Sequence, residues 1–211
     1  MLAFVAAGAL LVVGTSLIAR TGRVGGAERL VFTAINGLPE FLRWPMWSFQ
    51  LLGLLGVPLI VALIAVARRR LRLRLAAALV ALVPLKLLLE KGILKQLVHR
   101  ERPGVTEPDA LLRDVPSAGP SFPSGHAIIA FGIAALLTPY LRRGGLVVVW
   151  TLAALNGVAR VYLGAHNPLD VVCGAGAGLL LGGALTLVLG ARPAPQPAPA
   201  PVRAPDRDGA A

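Results

Sequence analysis

Three short stretches of this chain carry side chains able to hold a phosphate and break its ester. They are Lys95-Gln-Leu-Val-His-Arg-Glu-Arg102-Pro103, then Phe122-Pro123-Ser124-Gly125-His126, and then Arg160, His166 and Asp170 at five- and three-residue gaps. In the first, the planar fork of an arginine can grip two phosphate oxygens while lysine adds a compact point charge. Pro103 stops helical continuation just after Arg102. In the second, proline and serine suit a helix start and glycine permits close approach of the backbone, so free amides face an anion. His126 falls in that first turn, and a histidine there can pass a proton to a leaving alkoxide. In the third, Asp170 lies four residues after His166. From there it can reach one ring nitrogen and stabilise the imidazolium, leaving the other nitrogen free to attack phosphorus.

Each stretch also has a plainer reading when taken alone. Basic residues at the end of an apolar segment anchor lipid headgroups, Pro-Ser-Gly is an ordinary helix start, and a His–Asp pair can be a simple interfacial hydrogen bond. Zinc held by His99, His126, His166 and Asp170 is another alternative, but it lacks a dense cysteine or carboxylate set and leaves three cations unused. No cofactor or metal is expected.

The stretches interrupt an oily chain of 211 residues, 56% hydrophobic and only 15% charged. Several apolar runs reach the roughly 20 residues needed to cross a bilayer. Six spans can be read, near Leu2–Ala19, Met46–Ala67, Leu75–Val98, Ser124–Tyr140, Leu146–Leu163 and Asp170–Leu189. The first lacks a basic leader region and a cleavage site, so it reads as a retained helix. Residues 27–38 repeat apolar side chains at helical spacing, with Pro39 behind them and Phe41, Trp44 and Trp47 following. This predicts an amphipathic helix lying on the membrane surface beside an aromatic belt. The fold class is therefore an all-α bundle of six transmembrane helices with one interfacial helix. Residues 1–190 form the membrane domain and residues 191–211 a Pro/Ala-rich disordered tail.

The net charge of +11 does not indicate nucleic acid, because the basic residues cluster where apolar runs end. Arg68, Arg69, Arg70, Arg72 and Arg74 fill one turn and Arg142 and Arg143 another. The excess of positive charge in cytoplasmic loops puts both turns, and both termini, in the cytoplasm. All three chemical stretches then arrive on the opposite, extracytoplasmic face. Cys173, the single cysteine, allows no internal disulfide. Lys86 and Glu90 sit four residues apart inside the third span; charges there are expensive, so they are expected to pair within the bundle. Gly174, Gly178 and Gly182 mark a close-packing face on the last span.

In order and spacing the three stretches resemble the signature of the type-2 phosphatidic acid phosphatase superfamily: Lys-x6-Arg-Pro, Pro-Ser-Gly-His and Ser-Arg-x5-His-x3-Asp. One position departs, with Ala159 where the family often has serine. The resemblance implies that His166 is a nucleophile forming a phosphohistidine, Asp170 its orienting partner and His126 the general acid. It further implies that Lys95, Arg102, Ser124, Gly125 and Arg160 cradle the phosphoryl group, without a metal.

The expected function is hydrolysis of a lipid-linked phosphate at the level of the outer headgroups. Substrates of the right kind are polyprenyl mono- or diphosphates, phosphatidic acid and phosphatidylglycerol phosphate, with analogy favouring the polyprenyl group. The expected partners are that lipid and the bilayer, not nucleic acid, and a homo-oligomer is left open. The alternative from another class is a non-catalytic protein that binds or transports phosphorylated lipids. A soluble haloperoxidase fits poorly with six spans.

Overall fold

The computed structural model describes residues 1–67 and 73–190. The arginine-rich turn at 68–72 and the tail at 191–211 lie outside the described residues. All regular structure among the described residues is helical, apart from an isolated antiparallel bridge between Glu101 and Pro120.

Among the described residues ten α-helices follow in order: α1 Leu2–Ala19, α2 Gly26–Asn36, α3 Arg43–Gln50, α4 Val57–Ala67, α5 Leu73–Leu87, α6 Lys95–Leu97, α7 Pro103–Thr106, α8 Gly125–Leu137, α9 Arg143–Tyr162 and α10 Pro168–Val188. A π-helical stretch, Leu88–Leu94, joins α5 to α6 so that the helical path runs unbroken from Leu73 to Leu97. Helices α1, α9 and α10 are long and apolar enough to cross a membrane, and α3 with α4 makes a fourth candidate if the bent pair is one span. This is a membrane protein: such helices have no counterpart in a water-soluble core.

The bend corrects the expected second span. Met46–Ala67 is not one helix, because a 3₁₀ turn at Leu51–Gly53 separates α3 from α4 and the two axes differ by 70°. The sequence Gly53-Leu-Leu-Gly56-Val-Pro58 supplies the cause. Pro58 falls in the first turn of α4, where its missing N–H needs no partner, and glycine tolerates the break. Asn156 of α9 stabilises the frayed end, its Nδ2 donating to the carbonyls of Phe49 at 3.0 Å and Gln50 at 3.1 Å.

Helix α8 is the core of the bundle; only His126, Phe131 and Leu137 in it escape full burial. It packs against α10, α9 and α5. The glycine row on α10 makes the first contact possible. A Cβ on Gly174 would stand 2.5 Å from the Ser124 carbonyl oxygen, and one on Gly178 2.7 Å from the Gly132 nitrogen. Helix α1 covers the other face of α10. The remaining apolar surface is left outward, Leu10, Leu63, Leu73 and Val188 each being 70% or more exposed, as side chains facing lipid would be.

The amphipathic segment is helical where expected, although it stops at Asn36 with Gly37 as its cap, ahead of Pro39. Phe32 and Asn36 are buried. Asn36 exchanges hydrogen bonds with the Leu111 backbone, at 2.9 and 2.8 Å, and donates to the Tyr162 carbonyl at 2.9 Å. Arg113 stacks over the Tyr162 ring at 4.1 Å and bonds the same carbonyl at 2.6 Å. These contacts tie α2 and the 107–115 loop to the end of α9, next to the third stretch.

Candidate active site

Four helix ends meet at one end of the bundle: the close of α6, the start of α8, the close of α9 and the start of α10. Short polar bonds join them. The Ser124 amide donates to the Asp170 carbonyl at 2.9 Å, fixing the second stretch to the third. Arg102 Nη1 donates to the Ala165 carbonyl at 2.8 Å, fixing the first to the third. The loop between α9 and α10 folds back tightly, the Ala165 and His166 amides donating to the Arg160 carbonyl at 3.0 and 3.2 Å.

All eight residues named from sequence are gathered here or on the helices that converge here. Ser124 and Asp170 are fully buried, Arg160 and His166 nearly so, and Lys95, Arg102 and His126 are partly accessible. His126 lies within electrostatic reach of Arg160, His166, Lys86 and Arg102. Two buried polar atoms of the set, Ser124 Oγ and Arg160 Nε, have no protein hydrogen-bond partner. Such groups suit an oxyanion ligand, since buried donors otherwise carry an unmet desolvation penalty. The Phe122–Pro123 peptide is cis, and Ser124 caps α8 in extended conformation, so the first-turn amides of α8 are presented beside it. Gly125 lies tight against the ends of two side chains: a Cβ there would lie 2.7 Å from both Glu90 Oε2 and Lys86 Nζ and would displace that pair.

His166 Nδ1 faces Asp170 Oδ2 at 3.6 Å. This is just beyond hydrogen-bond length, in the range typical of catalytic pairs before substrate tightens them. The opposite ring nitrogen, Nε2, is the one turned away from Asp170. Burial pulls the His166 pKa from 6.5 to about 4; Asp170 opposes that, while Arg160 and Arg102 add to it. The ring is therefore neutral at physiological pH, the state a nucleophile needs. Burial also lowers the Arg102 pKa, with Asp170, Glu90 and Glu101 acting against the loss of charge.

The sequence reading missed five of the partners that hold these groups. Asp170 is held mainly by Arg100, which donates to Oδ1 at 3.0 Å, and by the Asn167 amide, which donates to Oδ2 at 2.9 Å in a capping box. Arg100 in turn meets Glu28 of α2, through Nη1 at 2.9 Å and Nη2 at 2.5 Å. Gln50 accepts a hydrogen bond from Arg160 Nη1. Glu90 pairs with Lys95 at 2.8 Å as well as with Lys86, so Lys95 is not a lone cation but part of a Lys–Glu–Lys cluster. Gln50 was detectable as a polar side chain in an apolar run. Glu28 was not, since nothing in its local pattern distinguishes it from a surface acid. No three His, Cys, Asp or Glu side chains come together as a metal ligand set among the described residues.

Comparison with known proteins decides the family. A model of the PAP2 superfamily matches residues 70–193, more than half of the chain and all three stretches. The chain belongs to the PAP2 superfamily. A curated PAP2-like relative, the lipid A 4'-phosphatase of Bacteroides thetaiotaomicron, is 28% identical over 149 residues, covering 62% of this chain and 64% of that protein. The chain thus spans a little under two thirds of that relative's length. The crystal structure of Aquifex aeolicus LpxE superposes with a TM-score of 0.58 at 25% identity, covering 74% of this chain and 93% of that one. The first transmembrane PAP2 type phosphatidylglycerolphosphate phosphatase from Bacillus subtilis superposes with a TM-score of 0.70 at 23% identity, covering 86% and 95%. The two solved structures share the fold of this chain.

Proposed function

We propose that this PAP2 protein is an integral-membrane phosphatase that cleaves the phosphomonoester or diphosphate of a membrane lipid through a phosphohistidine at His166, without a metal. The observation that carries the reading is the convergence at one end of the bundle of a neutral, buried His166 beside Asp170, a second histidine and three cations. In the first step His166 Nε2 forms a bond to phosphorus, the P–O bond to the lipid oxygen breaks, and His126, protonated beside the bound anionic phosphate, gives its proton to that leaving oxygen. In the second, water attacks phosphorus as His126 takes its proton, the N–P bond breaks and inorganic phosphate leaves. Lys95, Arg102, Arg160, Ser124 and the Gly125 amide hold the phosphoryl oxygens and the charge that develops on them.

Six crossings follow if the unbroken 73–97 path, the bent α3–α4 pair and α8 with its 3₁₀ extension each count as one, beside α1, α9 and α10. Arg142 and Arg143 then lie in the cytoplasm, and the site opens on the extracytoplasmic face with both termini opposite. Helix α2 lies on that outer surface, where the 76% exposed Phe41 and 70% exposed Trp44 act as interfacial anchors. The substrate is a lipid phosphate whose headgroup reaches the site sideways from the bilayer. The names of the relatives add phosphorylated glycolipids such as lipid A to the polyprenyl phosphates, phosphatidic acid and phosphatidylglycerol phosphate expected from sequence.

The deciding experiment measures phosphate release by the purified protein in detergent from a panel of these lipids, for wild type and His166→Ala. Release by wild type, loss in the variant, and an acid-labile phosphohistidine trapped only on wild type are expected. Equal turnover by the variant would replace the hydrolase with a lipid-binding or transport protein.

A further inference from the structure

Asp170 cannot be described by its pairing with His166 alone. Its side chain is fully buried, and its nearest cation, Arg100, is equally buried. An arginine against an aspartate makes a neutral pair, and a neutral pair gives little support to a positive charge forming on the neighbouring imidazole. Glu28 changes that balance. It is 7% exposed, grips the same guanidinium through both oxygens, and accepts the Leu169 amide at 2.9 Å from the first turn of α10. The trio of Glu28, Arg100 and Asp170 carries a net charge of one minus. When His166 takes up phosphorus its ring becomes cationic, and the four groups together become neutral.

We propose that Glu28 and Arg100 are positioning residues for the phosphoryl-transfer reaction: Arg100 locks the Asp170 carboxylate in the rotation that leaves Oδ2 facing His166, and Glu28 preserves the net negative charge that the His166 cation needs. The inference rests on the phosphohistidine reading given above. It assigns a catalytic-support role to α2, which lies outside all three motifs and contributes no group to the phosphate cradle. Arg100 Nη2 also reaches the Arg23 carbonyl at 3.4 Å, so the loop ahead of α2 belongs to the same clamp. The other charged groups around His166 are Arg160 from α9, Arg102 ahead of α7 and His126 from α8; none of them bonds Asp170.

Glu28→Gln keeps the shape and the acceptor for Leu169 while removing the charge. Arg100→Met removes the clamp, and Arg100→Lys keeps its charge but cannot bridge two carboxylates in the same geometry. With lipid phosphate in detergent, Glu28→Gln and Arg100→Met are expected to lower kcat by on the order of 10- to 100-fold, the range for groups that orient a histidine at metal sites. KM should move by less than about twofold, as for an interaction made in the transition state, and Arg100→Lys should fall between Arg100→Met and wild type. ¹⁵N-histidine NMR of the full chain, with Asp170→Asn as reference, reads the same network without substrate. Wild type should hold the His166 proton on Nδ1, and the two variants should show a mixture of tautomers. Unchanged His166 ring signals, together with unchanged turnover per folded molecule, would overturn the proposal even if stability fell. If Arg100→Met does not fold, Glu28→Gln and Arg100→Lys decide the matter. If wild type released no phosphate, or His166→Ala were active, the hydrolase reading would fall, while the NMR comparison would still decide whether this trio positions His166.

Discussion

His166 shows how much the surroundings of one side chain matter. The ring is held neutral by burial, and the same burial makes it a liability when acidified. Because folding holds its pKa at about 4, below the ordinary 6.5, the unfolded chain takes up a proton through this window and the folded chain does not. Stability is therefore full above about pH 6.5 and falls as the pH drops toward 4, by about 3 kcal/mol if this group acts alone. Thermal unfolding of wild type and His166→Gln in detergent between pH 4 and 7 should show a shallower acid loss in the variant. Asp170→Asn leaves the fold but removes the anion beside the ring; turnover is expected to drop by several orders of magnitude, as in other His–Asp pairs with the carboxylate neutralised. The motif residues were all legible in sequence, since each stands at a fixed spacing. Their partners were not. Glu28 lies 72 positions from Arg100, and no local pattern links two residues at that distance.

At the scale of elements, two close approaches set the site. The first is the α8–α10 seam, where Gly174 and Gly178 let the helices meet nearly backbone to backbone. Gly178→Leu should push α10 off α8, with overpacking costing roughly 1–3 kcal/mol, and should lower kcat more than the loss of stability alone accounts for. The second is the break between α3 and α4. There a Cβ on Gly53 would lie 2.5 Å from His126 Cβ, so the 3₁₀ turn is packed directly on the proposed general acid. Gly53→Ala is expected to displace His126 and reduce kcat by about 100-fold, as a misplacement of roughly 1 Å can, and to lower the unfolding midpoint as overpacking does. The glycine row was legible as a packing face. The bend was not, because Met46–Ala67 is predominantly apolar and hydropathy cannot register a turn that stays within the bundle. Only Gly53, Gly56 and Pro58 hinted at it.

Across the whole molecule, the Lys86–Glu90–Lys95 cluster connects the interior of the bundle to the phosphate cradle. Glu90 is the shared anion of both lysines, and Glu90 and Lys86 abut Gly125. Removing the central charge of a buried cluster leaves two cations unpaired, which costs about 3–5 kcal/mol. Glu90→Gln should therefore lower the unfolding midpoint sharply, whereas Lys86→Met, which leaves Glu90 with Lys95, should lower it less. Intramembrane pairing of Lys86 with Glu90 was expected from their spacing; the involvement of Lys95 was not, because the π-helical stretch changes the angular register between residues 90 and 95. Orientation in the membrane is a property of the molecule as a whole. A reporter fused after Ala211 should report from the cytoplasm if the site opens on the outer face, and a signal from outside would reverse the sides.

The sequence by itself determined the membrane character, most of the helical segments and the three family motifs, because hydropathy, periodicity and motif spacing are local properties of the chain. It also predicted that the three stretches end their spans on the same side. Tertiary structure alone decided how those groups are held: Arg100 between Asp170 and Glu28, Gln50 on Arg160, Glu90 between two lysines, and a turn of the broken span pressed onto His126. The physical reason is that a buried charge takes its counter-charge from whichever element packs against it, and that element can lie anywhere in the sequence.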